Sequence, residues 1–547
     1  MTLACLLLVA LVGCGPARPS LLPVEMPNVS RTDPAVQKQV KERYEMLQQR
    51  LDDRRTSLPD LSTAYGQFGM LLQAAQFFDV AEASYLNAQT LTPGEMRWPY
   101  YLGHLYRSEG KPDKAADSFT RALALKPDDL PSMVWLGRLH LDQGRPGDAE
   151  PLFQKALTTS PRSVAALAGL ARVALARNDY ASAVAHLETA LEIDPQSESL
   201  HAPLAAAYRG LGQLDKAQPH LRQWRNTDIL LPDPLQQELD LVLESGLSYE
   251  LRGVRALDSQ DYPGAAGFFR RGLELAQPGT PLHRSLQHKL GTAAFAIGQI
   301  EAATREFEGV VASAPAEGID ESTAKAHYSL GVLAAERGRG DAAIQHLAAA
   351  VRYQPSYVEA HLGLGDALRR QGRIAEALRE YDEAIAINPR DPAGRMGHAM
   401  TLMALHRERE AKQWLEESMT QFPDRTPFSH ALARVLVTAT DAGVRDPQRA
   451  TTIVRTLFAN DKSIGVGETM AMTLAELGDY EQAIAIQRGV LASPTRARLE
   501  AALPRLASNL RLYERRQPCR TAWRNDEAVF LPSTAPAGAA ERAQTSR

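Results

Sequence analysis

The chain has 547 residues, 44% of them apolar and 23% charged, with a formal net charge of −4. That length covers several ordinary domains, and the composition is that of a folded chain. The charge balance offers none of the basic stripes of a nucleic-acid binder, and no apolar run reaches the ~18 residues of a membrane-spanning helix. Aromatic residues are sparse at 6%, while Ala and Leu are abundant, which suits helices packed through small contacts. Cys5, Cys14 and Cys519 form no Cys-x-x-Cys pair, so neither a zinc site nor a disulfide framework is indicated.

Residues 1–13 are almost wholly apolar around Leu6-Leu7-Leu8-Val9, too short to span a membrane and suited to the core of a secretory signal. They lead into Leu11-Val12-Gly13-Cys14, which resembles the lipobox of bacterial lipoproteins. The resemblance implies a signal peptide over 1–13 and a lipidated Cys14 that begins the mature chain. One acyl chain alone holds a membrane only marginally, so the several chains of that family imply stable anchoring. Gly15 follows the cysteine, and no inner-membrane retention Asp stands there. The resemblance thus implies a cell-envelope protein on the periplasmic face of the outer membrane. No Lys or Arg precedes the apolar run, a departure from the usual signal. The alternative is a fortuitous apolar N-terminus on a cytoplasmic protein. Pro16, Pro19, Pro23 and Pro27 favour an extended tether over 14–33. Asp33-Pro34 then reads as an N-cap with proline at the first helical position, opening an N-terminal helix over 34–61.

Internal repetition decides the fold class. Pro93, Pro127, Pro161 and Pro195 stand 34 residues apart, as do Pro355, Pro389 and Pro423. Other residues recur in step with them. Leu102-Gly103 is followed by Ala115, Phe119 and Ala122; Leu136-Gly137 by Ala149, Phe153 and Ala156; Leu364-Gly365 by Ala377, Tyr381 and Ala384. Each unit thus holds two apolar helical stretches joined by a polar turn such as Glu109-Gly110-Lys111. Small residues let the two helices approach, a large one fills the space between units, and proline stops the second helix. One unit cannot cover its own apolar face, so stacking is obligatory.

This pattern resembles the tetratricopeptide-repeat family. It implies an all-α superhelical solenoid of antiparallel helix pairs, about 11–12 units in two arrays. The first array covers 62–231 in about five units. Pro232 and Pro234 break the phase, and 232–245 reads as a linking helix. The second array covers 246–492 in about seven units, one with an extended loop at 439–447. A capping helix over 493–525 and a disordered tail over 526–547 complete the chain. The resemblance is specific for architecture and weak for function.

Chemistry-bearing motifs are absent: no Walker A loop, no His-Glu-x-x-His and no Gly-x-Ser-x-Gly elbow occurs. Gly363-Leu364-Gly365 lacks the third glycine of a dinucleotide fingerprint and falls inside a repeat helix. The expectation is a protein that is no enzyme and takes no cofactor or metal. Cys519, near Trp523, is either a lone reactive thiol or a buried inert one.

In such stacks the first helices line an inner face, where positions 5, 9 and 12 share one side. These positions place Tyr100, His104, Arg107, Arg138, Arg172 and Arg209 together. The expectation is a cationic peptide-binding groove for an acidic or extended segment of a partner protein. Solvated helix surface is the competing reading. In the second array Met396, Met400 and Met403 share one side, and packing against a neighbouring turn is the favoured reading. Function is therefore read as a non-catalytic scaffold for protein–protein interactions at the cell envelope, anchored through Cys14. The alternative is an envelope assembly factor for polysaccharide export or peptidoglycan synthesis with a polymer ligand. Sparse inner-face aromatics count against stacking on sugars.

Overall fold

The computed structural model describes residues 18–224, 229, 231–460, 463–492 and 503–523. The signal segment 1–13, Cys14 and the 526–547 tail lie outside them, as do residues 493–502 of the capping segment. Among the described residues there are 27 α-helices and no β-strand. The described backbone divides into two compact units, one up to Tyr249 and the other from Glu250 onward.

Unit 1 opens with α1 (Pro34–Asp52). Pairs follow: α2 (Leu58–Ala74) with α3 (Phe78–Leu91), α4 (Arg97–Ser108) with α5 (Pro112–Leu125), and α6 (Leu130–Asp142) with α7 (Pro146–Thr159). Next come α8 (Val164–Ala176) with α9 (Tyr180–Ile193) and α10 (His201–Gly210) with α11 (Leu214–Gln223). The short α12 (Pro234–Val242) ends the unit, and α13 (Gly246–Asp258) leads into the next.

In unit 2, α13 is followed by α14 (Tyr262–Leu275). The pairs are then α15 (Pro281–Ala296) with α16 (Ile300–Ala312), α17 (Glu321–Glu336) with α18 (Gly340–Tyr353), and α19 (Val358–Arg370) with α20 (Ile374–Ile387). They continue as α21 (Pro392–Ala404) with α22 (Glu408–Gln421), α23 (Thr426–Thr438) with α24 (Pro447–Asn460), and α25 (Ile464–Glu476) with α26 (Tyr480–Leu491). The last helix is α27 (Leu503–Glu514).

The punctuation of a pair is local chemistry. Asp129 caps α6 by accepting from the Ser132 N–H at 3.1 Å. That helix ends where Gly144 turns left-handed at φ 70, and the Arg145 N–H bonds the His140 carbonyl at 2.8 Å. Pro146 then opens α7, where its missing N–H costs nothing. Within each unit a helix packs on its sequence neighbours, and successive first helices also touch, α6 with α8 and α17 with α19. The first helices thereby make an inner layer and the second helices an outer one.

An aromatic ring locks one pair to the next. Phe153 of α7 is fully buried between Gly137 of α6 and Gly169 of α8. A Cβ at those glycines would sit 2.7 Å and 2.4 Å from the ring. Tyr381 repeats the arrangement between Gly365 and Gly397, at 2.9 Å and 2.3 Å.

The extended tether expected over 14–33 is described from residue 18 onward. This stretch lacks helix, as its prolines require, but it is docked. The Asn87 side chain accepts from the Leu22 N–H at 2.7 Å and donates to the Leu22 carbonyl at 2.9 Å. Leu21, Val24, Met26 and Val29 pack on the core of the first pairs.

At the other end, the chain beyond α27 turns back over first helices. Arg434 of α23 donates to the Ala522 carbonyl at 3.0 Å, and the Trp523 indole N–H points at the Met400 carbonyl of α21 at 3.4 Å. Met396 and Met400 are buried in the same cluster as Trp523, with Met403 packed against it, so the methionine side of α21 is core. Cys519 is 4% exposed there. Burial pushes its thiol pKa up, which makes it a poor nucleophile and excludes the reactive reading. The junction is held by Glu468 of α25, fully buried opposite an equally buried Arg434 at 2.8 Å. Arg505 adds a second ion pair at 2.7 Å and Asn509 a hydrogen bond at 3.0 Å.

Glu468→Ala leaves two guanidiniums without their shared carboxylate. The expected loss is about 3–5 kcal/mol in urea unfolding of unit 2, as for other buried pairs broken on one side. Glu468→Gln, which keeps one acceptor oxygen, loses less. An unchanged urea midpoint for Glu468→Ala would show that the cluster contributes nothing.

Candidate binding groove

The inner face of unit 1 is built on α4 and α6. Helical spacing brings Arg97, Tyr100, Tyr101, His104 and Arg107 onto neighbouring turns of α4. Trp135 and Arg138 of α6 stand beside them. The Arg107 and Arg138 guanidiniums lie over the Trp135 ring, 4.2 Å and 4.9 Å from its centroid. Two cations over one indole favour negative charge at its edge, and a carboxylate is found there. The Trp135 N–H donates to Asp233 at 2.9 Å, and the Tyr100 hydroxyl donates to the same oxygen. Asp233 is 5% exposed and its other oxygen caps α12 through the Gln236 N–H at 3.0 Å.

Sequence position does not anticipate that arrangement. Tyr100 and His104, expected on an open groove, are fully buried at 0% and 1% exposure. The reason is that the chain leading into α12 covers Tyr100, while His104 packs edge-on between Phe119 and Trp135 with centroids 5.1 Å away. Burial, then the Asp233 charge, raises the Tyr100 pKa, so the hydroxyl stays a donor.

Arg107 is exposed and Arg138 half-buried, and the Trp135 ring brings them together. Arg172 does not join them: it pairs with Asp142 at 2.8 Å, which cancels its charge locally. Arg209 is exposed in the last turn of α10. The arginines that this face gathers are thus Arg107 and Arg138, both over the Trp135 ring, and Arg97, which the 5, 9, 12 frame passed over.

Arg97 holds Glu238 of α12 with 2.8 Å contacts to both carboxylate oxygens, and the Tyr101 hydroxyl adds a bond at 3.1 Å. Further along, the Gln39 amide accepts from the Glu244 N–H at 3.0 Å and donates to the Glu244 carbonyl. Leu239 is buried on the same cluster, with Leu235, Val242 and Leu243 packed beside it. In the other direction, Leu231 packs on the cluster that α6, α7 and α8 share, and Ile229 on that cluster and the next. The segment 231–244 thus runs back over the inner face from α8 to α1. The linking helix expected over 232–245 is present as α12, and it lies against the inner face through Asp233 and Glu238. Trp135 is the residue at the centre of these contacts that positional reasoning missed; a tryptophan three residues before Arg138 was the available signal.

Two family models, both described as Tetratricopeptide repeat, match the chain. One covers residues 136–198, 288–352 and 333–392, the other 106–150, 174–228 and 368–435. The protein is a solenoid of tetratricopeptide repeats. No curated protein matches it. Among solved structures, MamA protein is 21% identical, with 30% of this chain and 88% of that one covered and a TM-score of 0.28. YrrB, described as a TPR protein with an unusual peptide-binding site, is 19% identical over 34% of this chain and 92% of its own, at a TM-score of 0.29. A tetratricopeptide repeat protein from Parabacteroides merdae is 16% identical over 47% and 98%, also at 0.29.

His104 gives these tetratricopeptide repeats an acid-sensitive point. Burial first, and then Arg107, hold its pKa well below the ordinary histidine value of 6.5. The folded state therefore refuses a proton that the unfolded state takes below pH 6.5, so stability is full above that pH and falls as pH drops. His104→Leu removes up to one proton from this linkage. Between pH 6 and 5 its urea-unfolding free energy should slope less than the wild type's, by up to ~1.4 kcal/mol per pH unit. Parallel slopes would mean that His104 titrates normally.

Proposed function

We propose that the protein is a non-catalytic scaffold whose first repeat array holds an acidic segment of a partner protein. One observation carries the reading: Trp135, with two guanidiniums over its ring, donates its N–H to a buried aspartate carboxylate. That arrangement is selective. A cation–π pair supports the ring, the indole and Tyr100 offer two convergent donors, and Arg97 supplies a two-point ion pair for a second acid. The site recognises carboxylates carried on an apolar stretch.

The reading is tested by capture from detergent-solubilised membranes with tagged chain, comparing wild type with Arg107→Glu/Arg138→Glu. Partners recovered by wild type should fall at least tenfold with the variant while helical circular dichroism is unchanged. Equal recovery from a folded variant would remove the inner face of α4 and α6 from the function.

The scaffold is placed at the periplasmic face of the outer membrane, anchored through a lipidated Cys14. Support comes from the apolar run ending in Leu11-Val12-Gly13-Cys14 and from Gly15 after it. Metabolic labelling with a radioactive fatty acid should mark the wild-type protein and not Cys14→Ser, and the variant should leave the membrane fraction. A wild-type protein that takes no label would end the anchoring proposal.

A further inference from the structure

The geometry points to residues 231–244 as a resident pseudo-ligand, which an acidic amphipathic helix of a partner replaces on the inner face of unit 1. The inference rests on the binding role proposed above and adds what the site selects and how it is kept covered.

Three features separate this segment from the repeats around it. First, α12 is nine residues long, a length at which an isolated helix is marginal in water. Second, its apolar residues are mostly only partly buried and its ion pair is partly solvated. Leu239 is its one residue buried as core, Leu241 is 58% exposed, and the Arg97–Glu238 pair is 31% and 47% exposed. A pair that open to water is worth little. Third, the repeats beneath do not depend on it. Phe119 and Phe153 close on Gly103, Gly137 and Gly169 inside the stack, without a residue of the segment. Release of 231–244 is therefore a local opening at lower cost than unfolding a repeat.

What it uncovers defines the replacement. The Trp135 N–H and Tyr100 hydroxyl lose Asp233, and Arg97 and Tyr101 lose Glu238. Between these acids the segment reads Asp233-Pro234-Leu235-Gln236-Gln237-Glu238-Leu239. The required ligand is thus a helix with an N-cap aspartate, a glutamate five positions later, and leucines two and six positions after the aspartate. A tethered segment acts at an effective concentration of roughly millimolar, so a partner at lower concentration prevails only by binding more tightly, or when the segment is weakened.

The test uses the full chain and a fluorescein-labelled peptide of residues 231–245, followed by anisotropy. Asp233→Asn/Glu238→Gln in the protein weakens the resident segment and keeps a competent N-cap. The native peptide should bind this variant at least tenfold more tightly than wild type. A peptide carrying the same two substitutions should not bind. Equal affinity for both proteins, or none for either, overturns the inference. Amide exchange on the unmodified chain gives a second reading that no folding defect can confuse. Residues 234–242 should exchange at least tenfold faster than α4 and α6, and protection of 234–242 equal to theirs also overturns it. Loss of partner capture in Arg107→Glu/Arg138→Glu together with no peptide binding would remove the pseudo-ligand and leave the binding role standing. Peptide binding without any captured partner would do the reverse.

Discussion

A ring between two missing side chains sets the spacing of the stack. Phe153 lies where Cβ atoms at Gly137 and Gly169 would be, and Tyr381 does the same with Gly365 and Gly397. One glycine belongs to the ring's own pair and the other to the next pair, so each ring joins two repeats. Where no ring is available the rule survives with a smaller filler: Leu347 sits against Gly331 and Gly363, where a Cβ would lie 2.7 Å and 3.1 Å from it. Interiors packed this closely tolerate little change of volume. The aromatic and glycine positions are therefore tied to each other, and through them the pair-to-pair distance.

That division of labour leaves the inner face of the first helices free for other chemistry. Each unit lays a piece of its own chain on that face, with different electrostatics. In unit 2 the anchor is a carboxylate and a guanidinium with no exposure at all, and Trp523 and Cys519 are core. Removing one partner there strands a buried charge, which is costly, so this segment behaves as part of the fold. In unit 1 the Glu238 pair keeps about half its contact with water. Losing it costs far less, because solvent takes over both ions. The two segments look alike in topology, and desolvation makes one a lock and the other a latch.

The solenoid was legible because proline and glycine act through the backbone and leave a positional record. Proline after a second helix stops it, and a ring demands a glycine opposite, so a 34-residue rhythm survives in one sequence. The inner face keeps no such record. Tyr100 lies on the expected side of α4, yet its burial is decided by Asp233, 133 residues away, beyond the reach of periodicity. Arg172 shows the same limit, since its pairing with Asp142 depends on the rotation of α8 against α6. Asn87, which ties down the chain at Leu22, likewise carries no repeat signature. One clue was available: Asp233-Pro234 repeats the cap-and-proline start of Asp33-Pro34. It marks α12 as a deliberately begun helix, a poor fit to a passive link.

The balance at the latch follows from which groups are left bare. A buried donor that loses its acceptor costs about 1–3 kcal/mol unless water reaches it. The Tyr100 hydroxyl and the Trp135 N–H both face Asp233, so one carboxylate satisfies both donors. An apolar helix arriving in its place would gain contact with the leucine positions and lose both of these bonds. A carboxylate on a flexible polar strand would recover the bonds and lose the apolar contact. Only a segment with both features matches what α12 already presents there, so on the proposed role selectivity would come from the cost of an unmet donor more than from the attraction of positive charge. That is why the arginines matter less as a field than as a support: stacked on Trp135, they orient and polarise the donor that does the choosing.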